Sequence, residues 1–239
     1  MAHTVEWFFG RGLSIGCNLK WMVPADWHPF SRDEQIARIK VALVSEMAAA
    51  YVDTSDILLF FDILANRTVS PWQHRFHTTN WDFLLQRELL SLGHKVQPPW
   101  CAETHVYHLN GTVEDLPDNS QRSAFVLESD SSRARVATTE GNIAYNKFIW
   151  SQTFVVVGMT FECQVDKYLL SALNRIEDDL PIGESLWIVL DPDPDALLAT
   201  CDQLQIALPR AKIVGSVTTF RAWLDDQAPE LQSSGSVAF

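Results

Sequence analysis

Two uninterrupted apolar runs limit the folds open to this chain more than any other feature. The runs are TFVVVGM (153–159) and SLWIVLD (185–191), and both are apolar except at their ends. Strands with apolar residues on both faces are typical of a parallel sheet that helices cover on each side. Helix-like segments separate these runs from shorter strand-like ones at 4–9, 74–79, 105–109 and 211–214. This alternation predicts an α/β fold: a Rossmann-like, doubly wound, mostly parallel sheet with helices on both faces.

The length of 239 residues fits one domain of this kind. We expect the domain to span 1–226, with a helical insertion at about 31–66 and a loose tail at 227–239. Ser31 and Glu34 fit a capping box, which marks the start of a helix in the insertion. The last residues of the tail, QSSGSVAF, are mostly small or polar, so they predict no packed element.

Local patterns predict three further elements. Thr79 and Asp82 fit a second capping box, so a helix is expected over 82–93. SAFVLE (123–128) predicts a strand, and ATTEGNIAYNKFIW (137–150) predicts a turn followed by a helix.

The composition argues against several classes of function. With 18 Lys and Arg against 30 Asp and Glu, the formal net charge is −12, so nucleic acid would be repelled over most of the surface. The four cysteines include no C-x-x-C pair, which predicts neither a zinc ribbon nor another metal site. Neither a leader nor an apolar stretch of about 18 residues is visible, so we expect a cytoplasmic protein with no membrane partner.

Polar stretches follow the predicted strands at the places where a doubly wound sheet binds its ligands. Such ligands lie outside the carboxyl ends of the strands, where the chain passes into a helix. The stretches are 10–14, 78–82, 108–112 and 158–160, and Asp191 ends the next strand.

The first of these stretches is a glycine turn. FFGRGLSIG (8–16) places Gly10 and Gly12 directly after a strand, with Ser14 beyond them. Glycine allows a tight turn and a close approach to phosphate, whose charge free N–H groups would meet. Arg11 either grips a pyrophosphate or obstructs NAD and favours another ligand. The alternative is an ordinary glycine turn without a ligand.

Two further stretches offer reactive side chains. The Asn80 amide can orient a water or a ribose hydroxyl, and Asp82 can fix that amide, bind a hydroxyl or stabilise a cation-like ribose. His108 and Asn110 are two residues apart, so on a strand both face the same side, and histidine is the usual general base near neutral pH. The alternatives are a helix cap for the first pair and a hydrogen-bonded structural histidine for the second.

The last two strand ends predict contacts to a nucleotide. Gly158 and Thr160 leave a buried strand and form a second candidate phosphate cradle. Asp191 can accept hydrogen bonds from both hydroxyls of a ribose. The alternative for Asp191 is structural, because Asp-Pro-Asp-Pro is a good turn and helix start without any ligand.

Taken in chain order, these segments resemble the sirtuin-like family, in particular its compact prokaryotic branch of NAD-processing domains. That branch has a G-A-G-x-S turn, then T-T-N-Y-D, a strand ending in L-H-G-S, and an apolar strand running into G-x-S-x-x-D. This chain has GRGLS (10–14), TTNWD (78–82), LNGT (109–112) and GMTFECQVD (158–166) at the matching places. The resemblance covers roughly residues 5–195.

The resemblance implies a domain that carries NAD with its pyrophosphate at the glycine turn and cleaves the nicotinamide–ribose bond. It also implies a role as an NADase effector of bacterial anti-phage defence, as in many compact members. Asn80, in the motif that includes Thr79, would handle the ribose and the attacking water. The family's base histidine corresponds to Asn110, which takes no proton at neutral pH, and general-base catalysis is typically worth about 10²–10⁴-fold in rate. Either His108 has taken over the role of base, or the domain binds nucleotide without efficient turnover.

Two functions from different classes therefore stay open. The first is an NAD+ hydrolase in which Asn80, His108 and Asp82 form the reacting set. The second is a catalytically weak NAD or ADP-ribose sensor, which acts as a subunit beside a protein partner or in a homo-oligomer. A purely structural α/β protein would require every polar strand end to be a cap or a turn. The missing zinc ribbon disfavours protein deacetylation.

Overall fold

The computed structural model of the protein describes most of the chain. The described residues are 3–66, 72–93, 101–113, 125–127, 151–162, 166–167, 169–171, 173–174, 185–233 and 236–237.

Six parallel strands form one sheet, as the apolar runs predict. In chain order the strands are β1 His3–Phe9, β2 Trp72–Thr78, β3 Cys101–His108, β4 Thr153–Val157, β5 Leu186–Asp191 and β6 Lys212–Val217. Their order in the sheet is β3-β2-β1-β4-β5-β6, and every pair is parallel. This is the strand order of the doubly wound dinucleotide-binding fold, so the predicted fold class is confirmed.

The strand order reverses between β1 and β4, and this reversal decides where a ligand can bind. The chain leaves β1 toward β2 on one side and later returns to β4 on the other side, so the two connections part above these neighbouring strands. A crevice forms at such a switch point, outside the carboxyl ends of the strands. The turns that begin at Gly10 and Gly158 lie at that place.

Helices follow the strands and fill the insertion. They are α1 Arg11–Gly16, α2 Arg32–Met47, α3 Ser55–Ala65, α4 Leu84–Ser91, α5 Pro194–Ala207 and α6 Phe220–Ser233. A short 3-10 turn, Ala25–Trp27, precedes α2, and the described residues between 166 and 174 are helical. The capping box of Ser31 and Glu34 is present at the start of α2, as predicted. Within the described part of the chain, no helix is long and apolar enough to cross a membrane.

Aromatic side chains fill the core on both faces of the sheet. On one face Trp7 packs edge-on against Phe60 of α3 and Trp223 of α6, with ring centroids 4.6 and 5.8 Å apart. On the other face Phe154 stacks on Trp187 at 4.2 Å. Neighbouring residues of one strand point to opposite faces, so continuous apolar runs supply both cores at once.

A buried ionic network ties β1 to its neighbours. Glu6 is fully buried, with one carboxylate oxygen 2.7 Å from Arg75 and the other 2.7 Å from Nε2 of His77. The hydroxyl of Ser151, just before β4, donates to the same carboxylate. Burial by itself would raise the pKa of Glu6, but His77, Arg75 and Ser151 together hold that pKa below its ordinary value. The carboxylate is therefore charged inside the sheet.

The end of the domain differs from the sequence prediction. Helix α6 continues to Ser233, seven residues past residue 226, and Leu231 is fully buried within it. Val237 is also buried, so the predicted loose tail at 227–239 is packed in its described part. Pro229 lies inside the helix and suggests a break, but the apolar contact of Leu231 with the core outweighs that local signal.

Two other predicted elements also differ or lie outside the described residues. The helix expected over 82–93 is observed as α4, but Thr79 does not cap it, since the backbone N–H of Leu84 donates to Asp82 instead. Residues 125–127 are not in a strand, although 123–128 was predicted as one. The turn and helix predicted at 137–150 lie outside the described residues.

Candidate functional site

A cavity of about 330 Å³ lies at the carboxyl edge of the sheet. Its size is at the lower end of the range for small-molecule sites. One wall is polar and comes from the segments that follow β1, β2, β3 and β4: Ser14, Thr79, Asn80, Asp82, Asn110 and Asp166. The other wall is mostly apolar and comes from the segment after α1 and from α2: Leu19, Trp21, Met22, Val23 and Leu43. Arg11, His28 and Trp81 complete the lining.

Asn80 is held rigidly at the end of β2. Its Nδ2 donates to the backbone carbonyl of Gly10 at 2.9 Å and to Oγ of Ser14 at 2.8 Å. Its backbone N–H donates to the hydroxyl of Thr78, which itself donates to the carbonyl of Phe9. A carbonyl can only accept, so the amide orientation is fixed and both N–H hydrogens are used. The Oδ1 of Asn80 has no partner among the described residues, so it is the atom that Asn80 offers to a ligand.

Ser14 connects Asn80 to a buried carboxylate. Because its oxygen accepts from Asn80, its hydroxyl proton goes to Oδ2 of Asp82, 2.6 Å away. The other oxygen of Asp82 accepts from the backbone N–H of Leu84 at 3.1 Å. Burial raises the pKa of Asp82, although these two hydrogen bonds act in the opposite direction. Asp82 therefore accepts from the first residue of α4 and is a carboxylate that binds a proton more readily than usual.

The predicted phosphate turns meet each other below the cavity. Gly10 and Gly12 contact the turn at Gly158, whose φ is +58°. None of these three glycines lines the cavity in the described structure, whereas Arg11 and Ser14 from the same turn do.

The structure separates His108 from Asn110. Asn110 lies beyond the end of β3 and lines the cavity, where its Nδ2 donates to the carbonyl of Thr79 at 2.6 Å. His108 is buried, and its ring stacks on Phe83 with centroids 6.0 Å apart. His108 does not line the cavity. The expectation that both face one pocket depended on the strand continuing through residue 110, but the strand ends at His108.

The two remaining candidates also lie away from the cavity. The carboxylate of Asp191 accepts from the backbone N–H of Asp193, which begins the turn into α5, so it takes the structural role that the sequence left open. Thr160 follows Gly158 and is not part of the lining.

Several lining residues were not among the sequence candidates: Trp21, Met22, His28, Leu43 and Asp166. Asp166 ends the motif GMTFECQVD, so its place in that motif was the available signal. The cluster of tryptophans before residue 30 was the signal for the apolar wall, where Trp21 and Trp27 lie 5.9 Å apart. His28 lies in an irregular segment without periodicity, and no sequence pattern pointed to it.

Among the residues that the structure describes, neither a reactive thiol nor a metal site is found at the cavity. Burial raises the pKa of Cys17 to about 12, with the charge of Asp82 as the next cause, so this thiol is not a nucleophile. Among the described residues, no cluster of His, Cys, Asp and Glu has the arrangement of a metal site.

The chain matches no protein-family model and no curated protein. The sirtuin-like resemblance therefore depends on the four motifs.

Proposed function

We propose that this protein binds NAD+ in the carboxyl-edge cavity and hydrolyses the nicotinamide–ribose bond. The strand order, the cavity above the switch point and the motifs support a dinucleotide ligand. The apolar wall fits a base ring, which needs contacts such as those that Trp21, Met22 and Leu43 supply. The polar wall fits the hydroxyls of a ribose.

The observation that carries this proposal is the geometry of the Asn80 carboxamide. Both of its N–H hydrogens are donated inside the protein, to Gly10 and Ser14, so only Oδ1 is left for a ligand. An acceptor fixed in this way can orient a water molecule or a ribose hydroxyl. A side chain that merely capped α4 would accept from the backbone N–H groups at the start of that helix. The Asn80 amide instead donates to Gly10 and Ser14, and the N–H of Leu84 donates to Asp82.

The chemistry follows from the leaving group. Nicotinamide leaves with the electron pair of its bond to C1′ and loses its positive charge, so the ribose becomes cation-like. Water then attacks C1′ and releases a proton, giving ADP-ribose. The carboxylate of Asp82 stabilises the cation-like ribose electrostatically. With its raised pKa, Asp82 is also the better placed proton acceptor, since His108 does not line the cavity.

Binding without efficient turnover is the second candidate, and one observation favours it. Asn110 takes the place of the family's base histidine, and its amide is bonded to the carbonyl of Thr79. A domain of this kind would hold NAD or ADP-ribose as a sensor or as a subunit of a larger assembly.

The test is to incubate the purified protein with NAD+ and to measure nicotinamide and ADP-ribose. We expect turnover, and we expect Asn80→Ala to lower it by at least about 10²-fold, the usual effect of losing an oriented polar group at a reacting centre. Asn66→Ala is the matched control, because Asn66 is exposed at the end of α3. Circular dichroism establishes that both variants fold.

The outcomes separate the two candidates. Turnover that Asn80→Ala leaves unchanged contradicts the assignment of the site. If NAD+ is not cleaved, titration calorimetry with NAD+ and ADP-ribose distinguishes a nucleotide sensor from a protein that binds neither nucleotide. Micromolar binding that Asn80→Ala weakens supports the sensor, and no binding of either nucleotide contradicts both candidates.

A further inference from the structure

The glycine turn has little backbone to offer a phosphate. The N–H of Gly10 donates to the carbonyl of Val157 at 2.9 Å, and the N–H of Gly12 donates to the carbonyl of Gly158 at 2.8 Å. The N–H of Leu13 donates back to the carbonyl of Gly10 at 3.1 Å. Phosphate-binding turns work by pointing such N–H groups at the ligand. Here three of them point into the protein.

The glycines have another physical reason to be present. A Cβ on Gly10 would lie 2.5 Å from the carbonyl oxygen of Gly158, and a Cβ on Gly12 would lie 2.6 Å from the Cα of Gly158. The two residues are therefore needed for the close contact between the turns after β1 and β4, whatever the ligand is.

Arg11 lies between these glycines and differs from them in its surroundings. It is exposed, lines the cavity and makes no ion pair or hydrogen bond within the described structure. Among the described residues that line the cavity it is the only Lys or Arg, and it shares this lining with Asp82 and Asp166. In a protein with a net charge of −12, an anionic ligand that enters this cavity meets repulsion, which the positive charge of Arg11 at the lining offsets.

We propose that the guanidinium of Arg11 is the anion contact of this cavity, in place of the turn amides, and that the cavity selects ligands carrying a diphosphate. This inference rests on the proposed function and names the part of the nucleotide that the site requires. A guanidinium fits because its planar fork can donate two parallel hydrogen bonds to phosphate oxygens.

Titration calorimetry tests the proposal with four probes: NAD+, ADP-ribose, ADP and inorganic pyrophosphate, with adenosine as the ligand that lacks phosphate. We expect Arg11→Ala to weaken binding of the diphosphates by about tenfold to a hundredfold, as expected for a hydrogen bond to a charged group. Arg11→Lys should recover part of that loss, because it keeps the charge but not the fork. Binding of adenosine should not change.

Lys212→Ala is the matched control, since it removes the same charge from an exposed position at the start of β6. It should leave every affinity unchanged. Added salt should weaken diphosphate binding by the wild type more than by Arg11→Ala, because screening acts on the charge that the variant lacks.

Each outcome bears on the two proposals separately. If ADP and pyrophosphate require Arg11 while NAD+ and ADP-ribose do not bind, the Arg11 inference holds and the proposed function fails. If NAD+ binds equally or more tightly to Arg11→Ala, the inference is overturned and the proposed function survives. If the wild type binds no diphosphate at all, both are overturned.

Discussion

At the scale of single residues, the proposed site depends on hydrogen bonds that connect three side chains in series. Asn80 donates to Ser14, Ser14 donates to Asp82, and Asp82 accepts from the backbone at the start of α4. These hydrogen bonds fix the direction of the Ser14 hydroxyl proton and leave Oδ1 of Asn80 as the acceptor for a ligand. Asp82 lowers the stability of the folded state, because a charged carboxylate is disfavoured where it is buried.

Asp82→Asn should therefore separate stability from function. We expect turnover to fall by at least about tenfold and the free energy of unfolding at pH 7 to rise by roughly 1 kcal/mol, a typical trade-off at a functional site. The pKa of Asp82 is raised, so the charged form costs stability only above the ordinary value of 3.8, and the cost grows as pH rises through the raised pKa.

Urea unfolding of both proteins at several pH values measures this difference. The variant's advantage should shrink as the pH falls through the raised pKa and disappear below 3.8, where Asp82 is protonated in the folded and unfolded states alike. A variant that is less stable than the wild type at pH 7 would contradict the assignment.

His108→Ala should affect the fold and not the reaction. The ring is buried against Phe83, so its loss should lower the free energy of unfolding by about 1–3 kcal/mol. Since His108 does not line the cavity, kcat should change by less than about threefold. A large loss of kcat with unchanged stability would return the role of base to His108.

The side chains whose directions the sequence predicts least well lie where a strand ends or where the backbone is irregular. The motifs located Asn80, Ser14 and Asp82, because each lies where a strand ends. The side that His108 faces depended on the residue at which β3 ends, and a shift of one or two residues there changes which side chains share a pocket. His28 lies in an irregular segment, where no period relates sequence to direction.

At the scale of elements, the contact between the turns after β1 and β4 positions the site. Gly12→Ala places a methyl group 2.6 Å from the backbone of Gly158, and neither turn can move without disturbing the sheet. We expect the free energy of unfolding to fall by about 1–3 kcal/mol, the usual cost of overpacking. Gly16→Ala, in the same helix, is the matched control, because nothing lies within 4 Å of its Cβ position.

Denaturant unfolding of these two glycine variants gives the measurement. Equal stability of both would show that the turn contact does not constrain the fold. Apolar patterning alone could predict the strands, but it carries no information about how closely two backbones approach.

The Glu6 network is the second element-scale feature, since it joins β1, β2 and Ser151, which lies two residues before β4. Glu6→Gln should lower the free energy of unfolding at pH 7 by about 3 kcal/mol, because Arg75 loses its buried counter-charge and His77 and Ser151 lose a charged hydrogen-bond partner. The pKa of Glu6 is lowered, so its contribution is complete above the ordinary value of 4.5 and is lost as the pH falls below it.

The difference between wild type and Glu6→Gln should therefore shrink in acid below about pH 4.5. Glu162→Gln, at an exposed position, is the control and should leave the free energy of unfolding at pH 7 unchanged. A pH-independent difference for Glu6→Gln would mean that packing and not charge explains its effect.

At the scale of the whole molecule, continuous apolar strands and their helices were enough to predict a doubly wound sheet. The strand order then places one crevice above β1 and β4, and residues from distant parts of the chain meet there. The extent of α6 was not predictable in the same way, because Pro229 indicates a helix end in the sequence, whereas tertiary contacts stabilise the helix beyond it. The central claim is that this crevice binds a dinucleotide through Asn80.

A crystal structure of the protein grown with ADP-ribose tests that claim most directly. We expect ADP-ribose in the carboxyl-edge cavity, with a ribose hydroxyl within about 3.2 Å of Oδ1 of Asn80. ADP-ribose bound elsewhere on the molecule, or a ribose that makes no contact with Asn80, would contradict the account.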